Sequence, residues 1–176
     1  PVVKIGSVKP SIVDLSNSSF VSAEIAEQKQ NFKLDVGDIL VGLTGYVGEV
    51  GRVPPSDIMP MLNQRVGRVI FKSGIFEPFI YVAMRLPEFK LFAESQSQGS
   101  AQANVSTKQL KGHPLIAADN SLIEKYNALT NSYFKKILIN FAESKTLTEL
   151  RDTLLPKLMS GEIRVTDAER EVEAAV

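Results

Sequence analysis

An apolar stripe with helical spacing fills the last third of this 176-residue sequence. Its members recur three or four positions apart in two runs: Leu122, Tyr126, Leu129, Tyr133, Ile137 and Phe141, then Leu147, Leu150, Leu154 and Leu158. This spacing places the apolar side chains along one side of an α-helix. A helix of ~40 residues is ~60 Å long, which is more than the preceding part of the chain can cover. The stripe therefore predicts a long helix that pairs with another helix.

Capping residues mark the limits of this helix. Asp119, Asn120 and Ser121 are candidate N-caps at its start, where Ser121 and Glu124 also fit a capping box, and Gly161 is suited to its end. The stripe skips between residues 142 and 146, so a break is expected there, and Pro156 is expected to distort the far end. We predict the helix over residues 119–165. Because residues 166–176 are acidic and small, we expect a disordered tail after it.

Residues 1–118 have a different pattern, with short β-branched segments separated by turn residues. Strands are predicted at residues 2–5, 38–41, 66–71 and 114–116. Helices are predicted at residues 22–30 and 76–95, the second of them kinked by Pro87. The fold class is therefore α+β, with a globular domain of mixed short strands and helices followed by a long coiled-coil-type helix.

Composition excludes several classes of function. The chain has no cysteine and a single histidine, His113, so disulfide scaffolds, Cys-based metal or redox sites and a His-rich metal site are excluded. Lys4, Lys9 and Asp14 interrupt the start of the chain, so no signal peptide is expected. The charge is balanced overall, but residues 1–118 carry a net charge of +2 and residues 119–176 a net charge of −2.

A glycine-rich segment at residues 42–51 follows the predicted strand at 38–41. Its glycines recur every three residues, so the loop can expose backbone N–H groups to a phosphate. It matches neither the dinucleotide fingerprint nor the P-loop. The alternatives are a tight hairpin, or the nucleotide or phosphate site of a small enzyme, for which Glu49 and Asp57 are the closest acids.

Two polar segments complete the candidate motifs. The first is Asn63, Gln64 and Arg65, whose amide and guanidinium groups are of the kind that bind base edges and phosphates. The second is the segment QSQGSAQANVSTK at residues 96–108, which contains no acid. A long polar loop inside a compact domain usually has a function, although a flexible linker is the simpler alternative.

Four stretches together resemble the specificity subunit of type I restriction-modification enzymes. Residues 147–163, LTELRDTLLPKLMSGEI, are similar to the distal end of that family's spacer helix. Residues 37–41 (GDILV), running into 44–48 (TGYVG), resemble its strand and turn. Residues 99–106 (GSAQANVS) and 4–8 (KIGSV) resemble two further segments of its target-recognition domain.

The resemblance implies a non-catalytic protein that recognises double-stranded DNA. Because the chain has one copy of each part, it implies a half-length form: a target-recognition domain at residues 1–118 and one spacer helix that forms an antiparallel homodimer. The partners would be a methyltransferase subunit, which supplies S-adenosylmethionine, and through it the restriction subunit. The chain itself would need neither cofactor nor metal, and its location would be cytoplasmic, away from membranes.

The same resemblance, together with the polar segments, gives the candidate DNA-binding residues. They are Lys4, Ser7, Thr44, Gly45, Tyr46, Gly48, Asn63, Gln64, Arg65, Gln98, Ser100, Gln102, Asn104 and Lys108.

Overall fold

The structure, a computed structural model, describes residues 1–97, 103–116 and 118–175. The chain divides into two compact units, Pro1–Ser132 and Tyr133–Val176. The strands are β1 (Val2–Val3), β2 (Ser11–Ile12), β3 (Ile39–Gly42), β4 (Val50–Arg52), β5 (Met61–Leu62) and β6 (Val66–Arg68). The helices are α1 (Ala23–Gln28), α2 (Glu77–Arg85), α3 (Pro87–Gln96), α4 (Thr107–Leu110), α5 (Asn120–Ser160) and α6 (Val165–Ala175). Strands and helices are thus mixed ahead of one long helix, which confirms the α+β class.

The main sheet has the strand order β2-β4-β3-β6. Strand β3 pairs antiparallel with both β4 and β6, whereas β2 runs parallel to β4. Strands β1 and β5 form a separate parallel pair. The core beneath these strands consists of β-branched and leucine side chains: Val3, Val8, Val13, Leu34, Leu40, Val53 and Val66. The short strands of this unit are therefore stabilised mainly by burial of their apolar side chains.

A buried arginine links the main sheet to helix α2. Arg52 in β4 forms an ion pair with Glu77 at 2.8 Å, and its guanidinium lies 4.4 Å from the centre of the Tyr81 ring. The Tyr81 hydroxyl donates a hydrogen bond to the carbonyl of Ser11 in β2. These contacts fix the position of α2 over the sheet.

The predicted kink at Pro87 is confirmed as a complete break between α2 and α3. Leu86 has the extended backbone φ −71° and ψ 147°, and Pro87 begins the next helix. A residue that precedes proline avoids the helical conformation because the proline ring clashes with it. The predicted strand at residues 114–116 is wrong, since these residues lie outside any strand, and the one predicted over 66–71 ends at Arg68.

Helix α5 is capped by Asp119, which confirms the first of the three candidate caps, whereas the capping box of Ser121 and Glu124 is wrong. One carboxylate oxygen of Asp119 accepts hydrogen bonds from the backbone N–H groups of Ser121 at 2.7 Å and Leu122 at 3.2 Å. The interaction with Ser121, followed by that with Leu122, lowers the pKa of Asp119 below its usual value. A short acidic side chain just before the first turn is a favoured helix cap.

The first turns of α5 pack within the unit Pro1–Ser132. Ile123 is buried, and the side-chain amide of Asn127 donates to the carbonyl of Ile75. The rings of Phe79 in α2 and Tyr126 in α5 meet edge to face, with centres 6.5 Å apart. An apolar groove with a volume of about 750 Å³ lies beside this contact, and Leu122 and Tyr126 form part of its lining.

The long helix continues through residues 142–146, so the predicted break there is wrong. The hydroxyl groups of Thr146, Thr148 and Thr153 each donate to the carbonyl four residues earlier, which satisfies these polar side chains within the helix. Gly161 is confirmed as the residue that ends the helix, because it has a φ of +74° immediately after Ser160, so the predicted range of 119–165 extends too far. Although α5 has 41 residues, neither it nor any other described helix is apolar enough to span a membrane.

The unit Tyr133–Val176 ends in a second helix. Residues Val165–Ala175 form α6 where the sequence suggested a disordered tail. Leu154 in α5 and Ala168 in α6 are both buried, so each of the two helices has a covered apolar side chain.

Candidate nucleic-acid interface

The glycine-rich segment forms the turn between the antiparallel strands β3 and β4. Gly42 donates its N–H to the carbonyl of Glu49 at 2.9 Å, and Gly48 donates to the carbonyl of Gly42 at 3.1 Å. Gly45 and Gly48 have φ values of +71° and +78°, a conformation that L-residues with a side chain rarely adopt. The segment is therefore the tight hairpin that the sequence analysis kept as an alternative to a phosphate loop.

Gly48 allows the hairpin to pack against helix α3. A Cβ atom at this position would lie 2.9 Å from Cβ of Ala93 and 3.2 Å from Cα of Lys90. The adjacent Glu49 forms an ion pair with Lys90, and this hydrogen bond raises the pKa of Lys90 above its usual value. Gly48 is buried, so its position is explained by close packing rather than by exposure to a phosphate.

The hairpin is bonded to residues 103–105 of the polar segment, although Thr44 and Asn104 lie 60 residues apart in the sequence. The hydroxyl of Thr44 donates to the side-chain oxygen of Asn104 at 3.0 Å. Two backbone bonds flank this link: Gly45 donates to the carbonyl of Ala103, and Val105 donates to the carbonyl of Leu43, both at 2.8 Å. Two separate motifs of the sequence are thus joined at the end of β3.

The third motif reaches the same place because β6 pairs with β3. Gly42 at the end of β3 pairs with Val66 at the start of β6. Next to this pair, the N–H of Leu43 donates to the carbonyl of Arg65 at 3.2 Å. The side-chain oxygen of Asn63 accepts the N–H of Arg65 and closes this turn. Gln64 and Arg65 are exposed, and within the described part of the chain the Arg65 guanidinium forms no ion pair.

These contacts define a surface that we call the recognition edge: Thr44, Tyr46, Gln64, Arg65 and Asn104. It combines an aromatic ring, two amides, a hydroxyl and a guanidinium, and all but the half-buried Thr44 are exposed. Hydroxyl, amide and guanidinium groups donate to phosphates, and amides and guanidinium also pair with base edges. The edge therefore has the chemistry of a nucleic-acid contact.

Three of the other candidates, Lys4, Ser7 and Lys108, are not part of the recognition edge. Ser7 is buried and its hydroxyl accepts the N–H of Lys4, which gives it a structural role. The Lys4 ammonium donates to Ser19, and Lys108 is exposed on α4. Gln98, Ser100 and Gln102 lie outside the described residues.

One residue near the edge was absent from the candidates. The Lys9 ammonium lies 5.4 Å from the centre of the Tyr46 ring. No short sequence pattern pointed to it, since it is isolated in a turn ahead of β2.

The Thr44–Asn104 link is expected to contribute modestly to stability. Thr44→Val keeps the shape of the side chain but removes the donor, and Asn104→Ala removes the acceptor. Because both groups are solvated, the two variants should show a coupling free energy of about 1 kcal/mol or less, with the double variant little worse than either single one. Urea unfolding of the four proteins measures this, and strictly additive losses would contradict the link.

Comparison with known proteins gives consistent results. The chain is similar to the type I restriction enzyme HindI specificity subunit of Haemophilus influenzae, with 30% identity over 118 residues, which are 66% of this chain and 26% of that protein. It is 25% identical over 170 residues to the EcoBI specificity subunit of Escherichia coli, covering 92% of this chain and 35% of that protein. It is 29% identical over 70 residues to the MjaIX specificity subunit of Methanocaldococcus jannaschii, covering 40% of this chain and 16% of that protein.

No protein-family model matches the chain. The aligned parts span between 16 and 35% of the length of the three relatives, which are all type I restriction enzyme specificity subunits. The resemblance drawn from the motifs is confirmed: this chain is a relative of the specificity subunits of type I restriction enzymes.

Proposed function

We propose that this chain recognises a DNA sequence on behalf of a type I restriction-modification system and performs no chemistry itself. Residues 1–118 would form the recognition domain and residues 119–165 the spacer helix. A methyltransferase subunit would bind the chain and supply S-adenosylmethionine, and the restriction subunit would join through it. The observation that carries the proposal is the recognition edge, where three separate motifs of the sequence meet at the end of β3.

The residues of the edge suit the two tasks of DNA binding. Arg65 is exposed and has no acidic partner among the described residues, so its charge is free to meet a phosphate. Gln64, beside it, is exposed and has an amide that can donate and accept at once, as reading of a base edge requires. Phosphate contacts fix the position of a protein on DNA, and base contacts supply specificity. Arg65 is suited to the first kind of contact and Gln64 to the second.

The geometry of the hairpin argues against the alternative of a small phosphate-binding enzyme. The backbone N–H groups of Gly42, Gly45 and Gly48 are all used in bonds within the chain. Glu49, the nearest candidate base, is largely buried and held by Lys90. A general base needs access to the proton that it removes, and this arrangement does not provide it.

The exposed face of α5 supports dimer formation. Leu129 and Tyr133 are 69% and 68% exposed, and Ile137 is 44% exposed, although they are large apolar residues on one side of the helix. The apolar groove continues this face through Leu122 and Tyr126. A second copy of the helix, running antiparallel, would cover the stripe with the same residues from both copies, as two-fold symmetry requires. Such a dimer would carry two recognition edges and would favour an inverted repeat in DNA.

Arg65→Glu is expected to weaken binding to every DNA duplex, and Gln64→Ala to reduce discrimination between sequences. The first change places a negative charge against phosphates, so it should act on all sequences and reduce the salt dependence of binding. The second removes a candidate base contact worth about 1–3 kcal/mol, which is roughly 5- to 150-fold in discrimination. The wild-type protein is first used to select a preferred duplex from a random pool. Gel-shift titrations at two salt concentrations then give the affinity of each variant for this duplex and for a duplex of scrambled sequence.

The two neighbouring variants act as controls for each other. If the wild-type protein selects no sequence from the pool, the proposed function is wrong. If it does so and both variants behave like the wild type, the recognition edge is not the DNA-binding surface.

A further inference from the structure

A lysine and a tyrosine from distant parts of the chain meet at one side of the recognition edge. Lys9 lies in the turn before β2, and Tyr46 lies at the tip of the β3–β4 hairpin. The Lys9 ammonium is 5.4 Å from the centre of the Tyr46 ring, within the range of a cation–π interaction. Both residues are exposed, with Tyr46 at 55%.

The backbones of both residues are held in place. A Cβ atom on Gly51 in β4 would lie 2.5 Å from the carbonyl oxygen of Lys9, so the Lys9 backbone passes directly over this strand. Tyr46 donates its N–H to the carbonyl of Thr44 at 2.8 Å and accepts the N–H of Glu49 at 3.3 Å. The two side chains therefore start from fixed positions, and their contact restricts the long and otherwise mobile lysine.

The surroundings leave the charge of Lys9 unneutralised. Lys90, at the same hairpin, is paired with Glu49, whereas within the described residues Lys9 forms no ion pair. The nearby carboxylate is Asp14, which accepts hydrogen bonds from Ser16. These bonds lower the pKa of Asp14, and the charge of Lys9 contributes the smallest part of that effect. An aromatic ring attracts an ammonium group without cancelling its net charge.

We infer that Lys9 contacts a DNA phosphate beside the recognition edge and that Tyr46 is the positioning residue that holds its ammonium group. The inference rests on the proposed function and adds to it a phosphate contact from the start of the chain. DNA phosphates attract any fixed positive charge, and a lysine that is already ordered loses less conformational freedom on binding. Tyr46 then acts through its ring face, not through its hydroxyl.

Lys9→Gln tests the first part of the inference. Removing one phosphate contact should weaken binding to a random-sequence duplex and reduce the slope of log K against log salt by about 0.9. Lys135→Gln is the matched control, because it removes an exposed lysine from the other compact unit. If the wild type binds and Lys9→Gln shows the same slope as Lys135→Gln and the wild type, the inference is wrong while the proposed function stands. A wild type that shows no salt-dependent binding at all would overturn both.

Tyr46→Phe and Tyr46→Leu test the second part. The phenyl ring keeps the cation–π contact, so Tyr46→Phe should lose less affinity and less salt slope than Tyr46→Leu. Leucine removes the ring, so Tyr46→Leu should lower both the affinity and the salt slope, as Lys9→Gln does. The double variant that carries both Lys9→Gln and Tyr46→Leu should bind little worse than Lys9→Gln alone. Equal losses in the Phe and Leu variants would overturn the positioning role, and so would additive losses in the double variant. Circular dichroism spectra of all variants confirm that each is folded.

Discussion

Replacing Leu129 and Ile137 together with glutamate is expected to convert the proposed dimer into a monomer. Both side chains lie on the exposed apolar face of α5. Because a two-fold interface contains each residue twice, four carboxylates would enter it and lose water without a partner. If each costs only about 1.4 kcal/mol, association weakens by roughly 10⁴-fold.

Light scattering at micromolar protein concentration measures the mass directly. The matched control is Ala128→Glu with Asn131→Glu, which adds the same charge at exposed positions on the opposite side of α5 and should leave the dimer intact. A monomeric wild type would refute the dimer but leave a single recognition edge able to bind DNA. A double variant that remains dimeric would show that the stripe is not the interface.

Gly48→Ala is expected to destabilise the unit Pro1–Ser132 by about 3 kcal/mol. The left-handed backbone of this residue costs an L-residue about 1–2 kcal/mol, and overpacking in a filled site costs about 1–3 kcal/mol. Both apply here, since φ is +78° and the new methyl group would lie 2.9 Å from Cβ of Ala93 and 3.2 Å from Cα of Lys90. Neither neighbouring atom is the end of a flexible side chain, so the hairpin or α3 must shift.

Gly74→Ala provides the comparison for this effect. Gly74 has open space around its Cβ position and no positive φ, so its replacement should change stability by less than about 0.5 kcal/mol. Urea unfolding followed by circular dichroism measures both variants. Equal stability of the two would show that the close packing of the hairpin on α3 is absent in solution.

Features set by local sequence could be predicted, because their causes lie within a few residues. The period of the apolar stripe gave the long helix, the conformational limits before Pro87 gave the break between α2 and α3, and Gly161 gave the end of α5. The skipped stripe near residue 146 was misleading, because threonine hydroxyls bond within the helix and allow it to continue.

Features that depend on distant pairing could not be predicted in the same way. The Thr44–Asn104 bond joins residues 60 positions apart, and it forms because β3 lies at the centre of a sheet whose strand order is not evident from the sequence. The same holds for Lys9, whose position over Tyr46 depends on the parallel pairing of β2 with β4. Ser7 was a DNA-binding candidate because residues 4–8 resemble a segment of the family, but its burial follows from packing around a short turn.

The chain is held by hydrogen bonds on both sides of residues 98–102. Before this segment, the carbonyl of Gln96 accepts the side-chain amide of Gln109. After it, Ala103 accepts the N–H of Gly45, and Val105 is bonded to the hairpin as well. None of these anchors uses a side chain from residues 98–102, so replacing that segment leaves every one of them in place. Because these anchors lie outside residues 98–102, an engineer could graft the corresponding segment of a relative between them and measure whether the DNA sequence preference follows the graft, as the proposed function expects.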